Sequence, residues 1–365
     1  MICIVLFYVK FTDPYSFYKI GSRDWDKFSE LNIRYIKFKQ IESIKPSCLI
    51  LGTSRAAEGY DPENCYFDNN TYNSAVSAGT VYEMLQYTNS ALKQRNLKKV
   101  LFSLDYGSFN AKFQIYEKNF YYYDLLPTTI YTFLVRSEIM KDGIKKISKS
   151  QRDKLILYTG SGETTPTNFN KYLHYHNIDI FLEKLPIMYL ERPIDYRYGD
   201  TKRNSFEDFM KILDVCYKNN VEVTLVFNPS HVMQWEAIAY NAGYGSWLKW
   251  KKDVVGAVYK SAEEHRAKPF TITDFAVYNS ITTEKISNEM EYYYDTSHFK
   301  RFVGDMVLQR LKSGVVNDGF GIELNPQMID GYLEKMKHDR VAFLKQYLKE
   351  NGSLFSKTSA DFGFD

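Results

Sequence analysis

The sequence has few of the features that mark a metal, redox or nucleotide site. Its four cysteines (Cys3, Cys48, Cys65 and Cys216) form no CxxC pair, which argues against a zinc ribbon or a thioredoxin-like centre. No GxGxxG motif and no P-loop motif follows a predicted strand, so a nucleotide site is not indicated. The sequence therefore predicts no metal and no cofactor.

Charge of one sign is also scarce. The chain has 47 basic and 44 acidic residues, which gives a formal net charge of +3. The basic residues are scattered rather than clustered on one predicted element, unlike the footprint of a nucleic-acid-binding protein. We therefore expect no nucleic-acid partner.

Long apolar runs are missing as well. Residues 1–11 are apolar apart from Lys10, but a bilayer-spanning helix needs roughly 20 apolar residues. Two interpretations stay open: the trailing part of a membrane anchor that starts upstream of Met1, or a buried first strand. The sharp stop at Thr12-Asp13-Pro14-Tyr15 favours the anchor, so residues 1–20 are expected to be an anchor remnant.

Aromatic residues, by contrast, are abundant. The 31 Tyr, 25 Phe and 4 Trp make up 16% of the chain. Aromatic faces can serve as platforms for sugars, but packing in a core is their commoner use. We therefore expect most of these rings in the interior.

Short buried strands alternate with amphipathic helices, the pattern of an α/β protein. Strands are predicted at 48–51, 100–104, 221–227 and 270–275, and helices at 81–95, from Ser205 to about 218, at 247–265 and at 326–350. Ser205 is the expected N-cap of its helix, and residues 35–46 are interpreted as a polar helix or a connector. Strand, helix and strand over about 55 residues predict a right-handed crossover in a parallel sheet.

The predicted fold is a three-layer α/β/α sandwich with a mostly parallel central sheet, over residues 45–315. Residues 112–204 lack this alternation and are interpreted as an inserted cap region. Residues 316–365 are interpreted as a C-terminal helical extension and tail.

Ser54 follows the first buried strand in the block Leu49-Ile50-Leu51-Gly52-Thr53-Ser54-Arg55. Open α/β sheets place ligand crevices at the carboxyl ends of their strands. A helix that begins after Ser54 would also direct main-chain N–H groups at a developing oxyanion. Local sequence alone favours a plainer role for Ser54, as the cap of that helix.

Asp295 and His298 form a DxxH pair in Tyr294-Asp295-Thr296-Ser297-His298-Phe299. On a helical turn the two side chains would share a face, so the carboxylate could orient the imidazole. The other imidazole nitrogen would then address Ser54, as in a serine-nucleophile site. A surface pair or a helix cap is the commoner explanation of a single DxxH.

Taken together, the two blocks resemble the SGNH/GDSL hydrolase superfamily. The segment Tyr72-Asn73-Ser74-Ala75-Val76-Ser77-Ala78-Gly79-Thr80 resembles that superfamily's second block. Within the superfamily the chain is most similar to the membrane-anchored bacterial branch linked to cell-envelope polysaccharide and teichoic-acid acylation. The similarity covers roughly residues 49–311, where it includes Asp274-Phe275. In addition, Asp13-Pro14-Tyr15 resembles the stop that ends the N-terminal anchor in that branch.

The resemblance implies an SGNH/flavodoxin-like fold and a set of roles. Ser54 is implied as the nucleophile, His298 as the base and Asp295 as its orienting acid. The main-chain N–H groups of Ser54 and of Gly79 or Ala78 are implied as the oxyanion hole, with Gly79 slightly favoured.

The third block departs from the family pattern. Hydrolytic members supply an Asn side chain there, whereas this chain has Leu104-Asp105-Tyr106-Gly107-Ser108-Phe109-Asn110. Asp105 would oppose a developing oxyanion unless it points away or binds substrate hydroxyls, and Asn110 could replace the missing amide only if its loop folds back. The weaker candidates for substrate binding are Arg55, Asp105, Asn110 and His231.

The resemblance thus implies a serine esterase or O-acyltransferase that acts on acyl (acetyl) groups of cell-surface glycan. Its expected place is the cell envelope, outside the cytoplasm. The expected partners are a glycan or an acylated small molecule, and a membrane acyltransferase. The alternative is a catalytically inactive envelope protein of the same fold that binds glycan or scaffolds that acyltransferase.

Overall fold

The structure is a computed structural model that describes residues 28–29, 33–67, 70–110, 157–158, 161, 195–197, 204–287, 289–314 and 319–352. A six-stranded sheet forms its centre. The strands are β2 (Cys48–Leu51), β3 (Thr71–Asn73), β4 (Lys99–Leu104), β6 (Glu222–Phe227), β7 (Thr271–Asp274) and β8 (Ile322–Glu323). A separate two-stranded sheet pairs β1 (Phe28–Ser29) with β5 (Leu157–Tyr158).

The strand order of the central sheet is β3-β2-β4-β6-β7-β8. The first five strands run parallel, and only β8 is antiparallel to its neighbour. The chain leaves β2 toward one edge of the sheet, to β3, and then returns past β2 to β4. The point where strand order reverses lies between β2 and β4, and doubly wound sheets open their ligand crevice there.

The helices form two groups. They are α1 (Ile33–Ile44), α2 (Ser54–Gly59), α3 (Val81–Lys93), α4 (Ser205–Lys218), α5 (Val232–Ala242), α6 (Tyr244–His265), α7 (Arg301–Ser313) and α8 (Ile329–Asn351). Helix α3 packs against α1 and α4, and α4 against α6, whereas α2 packs against α7. Right-handed crossovers in opposite directions place helices on opposite faces of the sheet. The predicted three-layer sandwich is confirmed.

Aromatic side chains fill much of the core. Tyr35, Tyr60, Tyr72, Tyr87 and Tyr293 are almost completely buried. A chain of edge-to-face and tilted ring contacts links Phe102, Phe109, Phe206, Phe209 and Trp250 between the sheet and its helices. The expected use of aromatic residues in the interior therefore holds for these rings.

The predicted cap of α4 was wrong by one residue. Asn204 is the N-cap, and its side chain accepts a hydrogen bond from the Glu207 N–H. Ser205 is the first helical residue, and its hydroxyl donates to the Phe109 carbonyl at 2.6 Å. Ser205 thereby joins the start of α4 to the segment that follows β4.

Several elements lay outside the prediction. The sequence pattern did not indicate α5, the short strand β3 or the edge strand β8, and it left residues 35–46 as a polar helix or a connector. That region is α1, which buries Tyr35, Ile36 and even Lys37 against the protein. Residues 1–20 and nearly all of the inserted region 112–204 lie outside the described residues.

Candidate active site

Ser54 lies where the sequence analysis expected it, immediately after β2. It is the first residue of α2, but it does not cap that helix. Thr53 is the N-cap, with its hydroxyl oxygen accepting from the Arg55 N–H at 3.4 Å. The capping role therefore falls to Thr53, and the Ser54 hydroxyl is left for another partner.

The Asp295–His298 pair lies on a short hairpin rather than on the helical turn that the spacing suggested. An antiparallel bridge pairs Tyr293 with Phe299, and the Tyr294 N–H donates to the His298 carbonyl at 2.9 Å. At the tip, Asp295 Oδ1 accepts from the N–H groups of Ser297 and His298, at 2.6 and 2.7 Å. Asp295 Oδ1 thus stabilises the turn at the tip, whereas Oδ2 can accept a hydrogen bond from the imidazole.

The structure brings Ser54, His298 and Asp295 into one hydrogen-bonded row. His298 Nδ1 is 2.7 Å from Asp295 Oδ2, and Nε2 is 2.8 Å from Ser54 Oγ. Because a carboxylate only accepts hydrogen bonds, Nδ1 carries a proton. When the imidazole is neutral, Nε2 is free of a proton and can accept the hydrogen bond of the Ser54 hydroxyl. This is the geometry of a hydroxyl with an oriented base.

Charges around the imidazole stabilise its protonated form. Burial alone would lower the pKa of His298, but the carboxylates of Asp295 and Glu58 outweigh it and raise the pKa from 6.5 to about 9. Burial likewise acts to raise the pKa of Asp295, but the His298 imidazole and two main-chain N–H donors bring it below 3.8. The Asp295–His298 contact is therefore a charged pair at neutral pH.

The hairpin is anchored to α2 by Phe299. This ring is completely buried and lies edge-on to Tyr60, with ring centres 5.6 Å apart. It packs so closely on Gly59 that a Cβ there would lie 1.9 Å from the ring. Phe299 follows His298 directly, so this packing fixes the imidazole relative to Ser54.

Arg55 was a candidate for binding substrate, but its contacts are internal. Its guanidinium lies 3.0 Å from Asp105 Oδ1 and donates to the carbonyl and the hydroxyl of Ser297, at 3.2 and 2.7 Å. The residue is only 8% exposed. Arg55 therefore connects the nucleophile turn to the hairpin that carries His298.

Asp105 is held in the same way, by internal contacts. Besides Arg55, it accepts hydrogen bonds from the Thr53 hydroxyl and from Asn228 Nδ2, the latter at 3.0 Å. Asn228 Oδ1 in turn accepts from Ser103 and Tyr60. The Asp105 carboxylate therefore fastens the ends of β2, β4 and β6 together, and its role in binding substrate stays a prediction.

The second block supplies a different main-chain donor from the one favoured by the sequence analysis. The Gly79 N–H donates to the Val76 carbonyl at 2.9 Å, so it is not available to an oxyanion. The Ala78 and Ser54 N–H groups have no hydrogen-bond partner within the part of the chain that the structure describes. Ala78 is exposed, with a left-handed backbone at φ 51°.

The second block lies directly against the nucleophile turn. The Val76 N–H donates to the Gly52 carbonyl at 3.3 Å. A Cβ on Gly79 would lie 2.8 Å from that same carbonyl, so only glycine fits here. These contacts place the Ala78 loop beside Ser54.

His231 and Asn110 do not join this group. His231 is buried, donates from Nε2 to the Glu284 carbonyl at 2.7 Å, and caps α5 by accepting from the Met233 N–H. Burial lowers the pKa of His231 to about 4, so it is neutral. Asn110 is buried at the end of a 3₁₀ turn, where its N–H donates to Gly107. The contacts described for both residues are internal, and their roles in binding substrate stay predictions.

Glu58 is a site residue that the sequence analysis missed. It lies one helical turn after Ser54 on α2, and its Oε2 is 3.9 Å from His298 Nε2. Its side chain is only 6% exposed. The i, i+4 spacing from the nucleophile was visible in the sequence, but it becomes meaningful only once α2 is known to be helical.

The described residues contain no group of three or more His, Cys, Asp or Glu side chains that could hold a metal ion. None of the helices in the described ranges combines the length and apolar character needed to cross a bilayer.

Comparison with known proteins adds no family assignment. No protein-family model matches the chain, and no curated protein matches its sequence.

Proposed function

We propose that the protein is a serine-dependent acyl-transfer enzyme, an esterase or an O-acyltransferase. The observation that supports this proposal best is the continuous hydrogen-bonded row from Ser54 Oγ through His298 to Asp295. The residues come from opposite ends of the domain. Two sets of buried contacts fix their relative position: those of Arg55 with Asp105 and Ser297, and the packing of Phe299 on Gly59. A serine hydroxyl with an oriented base is the minimal equipment for nucleophilic catalysis on an acyl group.

In the proposed reaction, Ser54 Oγ attacks the acyl carbonyl while its proton passes to His298 Nε2. Asp295 holds the imidazole by Nδ1 and stabilises the imidazolium that forms. The tetrahedral intermediate collapses to an acyl-enzyme, and His298 returns the proton to the departing alcohol. Water or a sugar hydroxyl then attacks the ester, and Ser54 is released.

The oxyanion would be held by main-chain donors. The Ser54 and Ala78 N–H groups are the candidates, because the Gly79 donor is already used. An amide side chain, as the resemblance implied for the third block, is replaced here by Asp105, which is bonded elsewhere. One missing donor costs about 3 kcal/mol of transition-state stabilisation. We therefore expect slow turnover of simple esters.

The substrate class rests on the resemblance to the SGNH superfamily. We propose acyl groups, acetyl above all, on cell-surface glycan, with the protein in the cell envelope and a membrane acyltransferase as a partner. The absent amide donor favours a second candidate, an inactive protein of the same fold that binds glycan or scaffolds the acyltransferase.

The two candidates separate in an assay of p-nitrophenyl acetate hydrolysis and of labelling by a fluorophosphonate. We expect Ser54→Ala and His298→Ala to lose at least about a thousandfold in hydrolysis, because neither retains an activated hydroxyl. Ser313→Ala and His338→Ala are matched controls, since both side chains are exposed and outside the site. Hydrolysis and labelling that do not depend on Ser54 would favour the binding protein.

A further inference from the structure

Two side chains of α2 meet His298 at the same nitrogen. Ser54 Oγ is 2.8 Å from Nε2, and Glu58 Oε2 is 3.9 Å from it. The four-residue spacing places both on one face of the helix. Because Asp295 holds Nδ1, each nitrogen of the imidazole faces a carboxylate.

Glu58 is not a surface acid that happens to lie nearby. Its side chain is 6% exposed, and the neighbouring Gly59 packs against Phe299, the residue after His298. The anchored hairpin therefore fixes the distance between Glu58 and His298. A buried carboxylate at this distance favours the charged form of the imidazole.

The charged groups that act on His298 come from two elements. Asp295, on the hairpin, and Glu58, on α2, both raise its pKa, whereas Arg55, also on α2, lowers it. Arg55 is tied to Asp105 and Ser297, so its charge is fixed in place. Asp295 also orients the ring through Nδ1, whereas Glu58 makes no such contact. Glu58 is therefore the charge that adjusts the pKa of His298 without orienting the ring.

We infer that Glu58 is a positioning residue for His298: its carboxylate holds the proton on Nε2 and sets the pH above which His298 can accept the Ser54 proton. This inference deepens the proposed function and rests on it where activity is concerned. With Glu58 present, the imidazole remains protonated well above neutral pH, and Ser54 is activated only under alkaline conditions. Removing the Glu58 charge moves that activation toward neutral pH.

The direct test is an NMR titration of the His298 ring in the full-length Ser54→Ala protein, which needs no activity. The signal is assigned by its loss in His298→Gln. We expect Glu58→Gln to lower the titration midpoint of His298 by about one pH unit or more. Glu63→Gln is the control, because it removes an equal charge from an exposed side chain five residues later.

A second measurement follows the rate at which a fluorophosphonate labels Ser54 between pH 6 and pH 10. In that step the Oγ–P bond forms, the P–F bond breaks, fluoride leaves and the hydroxyl proton passes to His298. In Glu58→Gln we expect the labelling rate to rise at a lower pH, by the same shift of about one pH unit as the His298 midpoint. Labelling at pH 7 should then be about tenfold faster. Glu58→Asp keeps the charge on a shorter side chain. The pH at which its labelling rate rises should lie between those of the unaltered protein and Glu58→Gln.

The outcomes distinguish the role of Glu58 from the proposed serine-dependent activity. Equal His298 midpoints in Glu58→Gln and Glu63→Gln, with both proteins folded by circular dichroism, would overturn the role of Glu58. A shifted midpoint without labelling at any pH would support the role of Glu58 and count against the proposed function alone.

Discussion

Arg55 connects the two halves of the candidate site, so its removal is the sharpest test of how the site is held. Arg55→Met keeps much of the apolar stem but removes three contacts, one to the Asp105 carboxylate and two to Ser297. Among the described residues, the Asp105 carboxylate would retain its hydrogen bonds from the Thr53 hydroxyl and the Asn228 amide. The change therefore leaves a buried charge without its ionic partner.

The expected cost follows from that burial. The Arg55 and Asp105 side chains are 10% and 7% exposed, so solvent screens the pair poorly. Removing one partner of a buried ion pair costs about 3–5 kcal/mol. We expect that loss in the free energy of unfolding of Arg55→Met, measured by urea denaturation and circular dichroism. Displacement of the hairpin by about 1 Å would also slow Ser54 labelling about a hundredfold.

Two further variants make the test quantitative. In Arg55→Met/Asp105→Asn the unpaired buried carboxylate is also removed. We therefore expect the loss in the free energy of unfolding of the double variant to be about 2 kcal/mol smaller than the sum of the losses of the two single variants. The control is Arg301→Met, whose partner Asp61 is 3.6 Å away in a partly exposed pair; its cost should be below about 1 kcal/mol. A loss in Arg55→Met no larger than this control would refute the reasoning.

Two predictions concern stability elsewhere. In Gly304→Ala the new Cβ would lie 1.7 Å from the Gly59 carbonyl and force α7 away from α2, so we expect a loss of at least about 2 kcal/mol in urea denaturation. Gly256→Ala, whose Cβ meets nothing within 4 Å in α6, should gain up to about 1 kcal/mol, and equal effects would contradict the packing argument. The stabilisation from the raised His298 pKa is fully present below pH 6.5 and is lost as pH rises through about 9. The gap in the free energy of unfolding between the unaltered protein and His298→Gln should therefore narrow by about 3 kcal/mol from pH 6 to pH 10, and a constant gap would contradict the charged Asp295–His298 pair.

The central strands could be predicted because their signal is local. Strand β2 was predicted at its observed bounds, and β4, β6 and β7 within one residue at each end. Strands β2, β4 and β6 are buried on both faces, so their sequences are short, mostly apolar runs that end at polar turns. The edge strand β8 has only two residues, and its order comes from pairing with β7, which no local pattern records.

The candidate site was predictable in part for the same reason. Ser54 and the Asp295–His298 pair stand in short blocks that can be recognised one at a time. The roles of Arg55, Asp105 and His231 were not predictable, because each depends on a partner distant in the chain. Gly79 was favoured as a donor, but the turn that uses its N–H becomes visible only in three dimensions.

The separation of 244 residues between Ser54 and His298 has a consequence for the order of events during synthesis. A chain made from its N-terminus can form β2 and the Ser54 turn long before the hairpin exists. Contacts between such distant residues close late, since the entropy of the intervening loop must be lost first. A nascent or truncated chain that stops before His298 therefore carries the serine without its base, and reactivity appears only when the hairpin packs on α2.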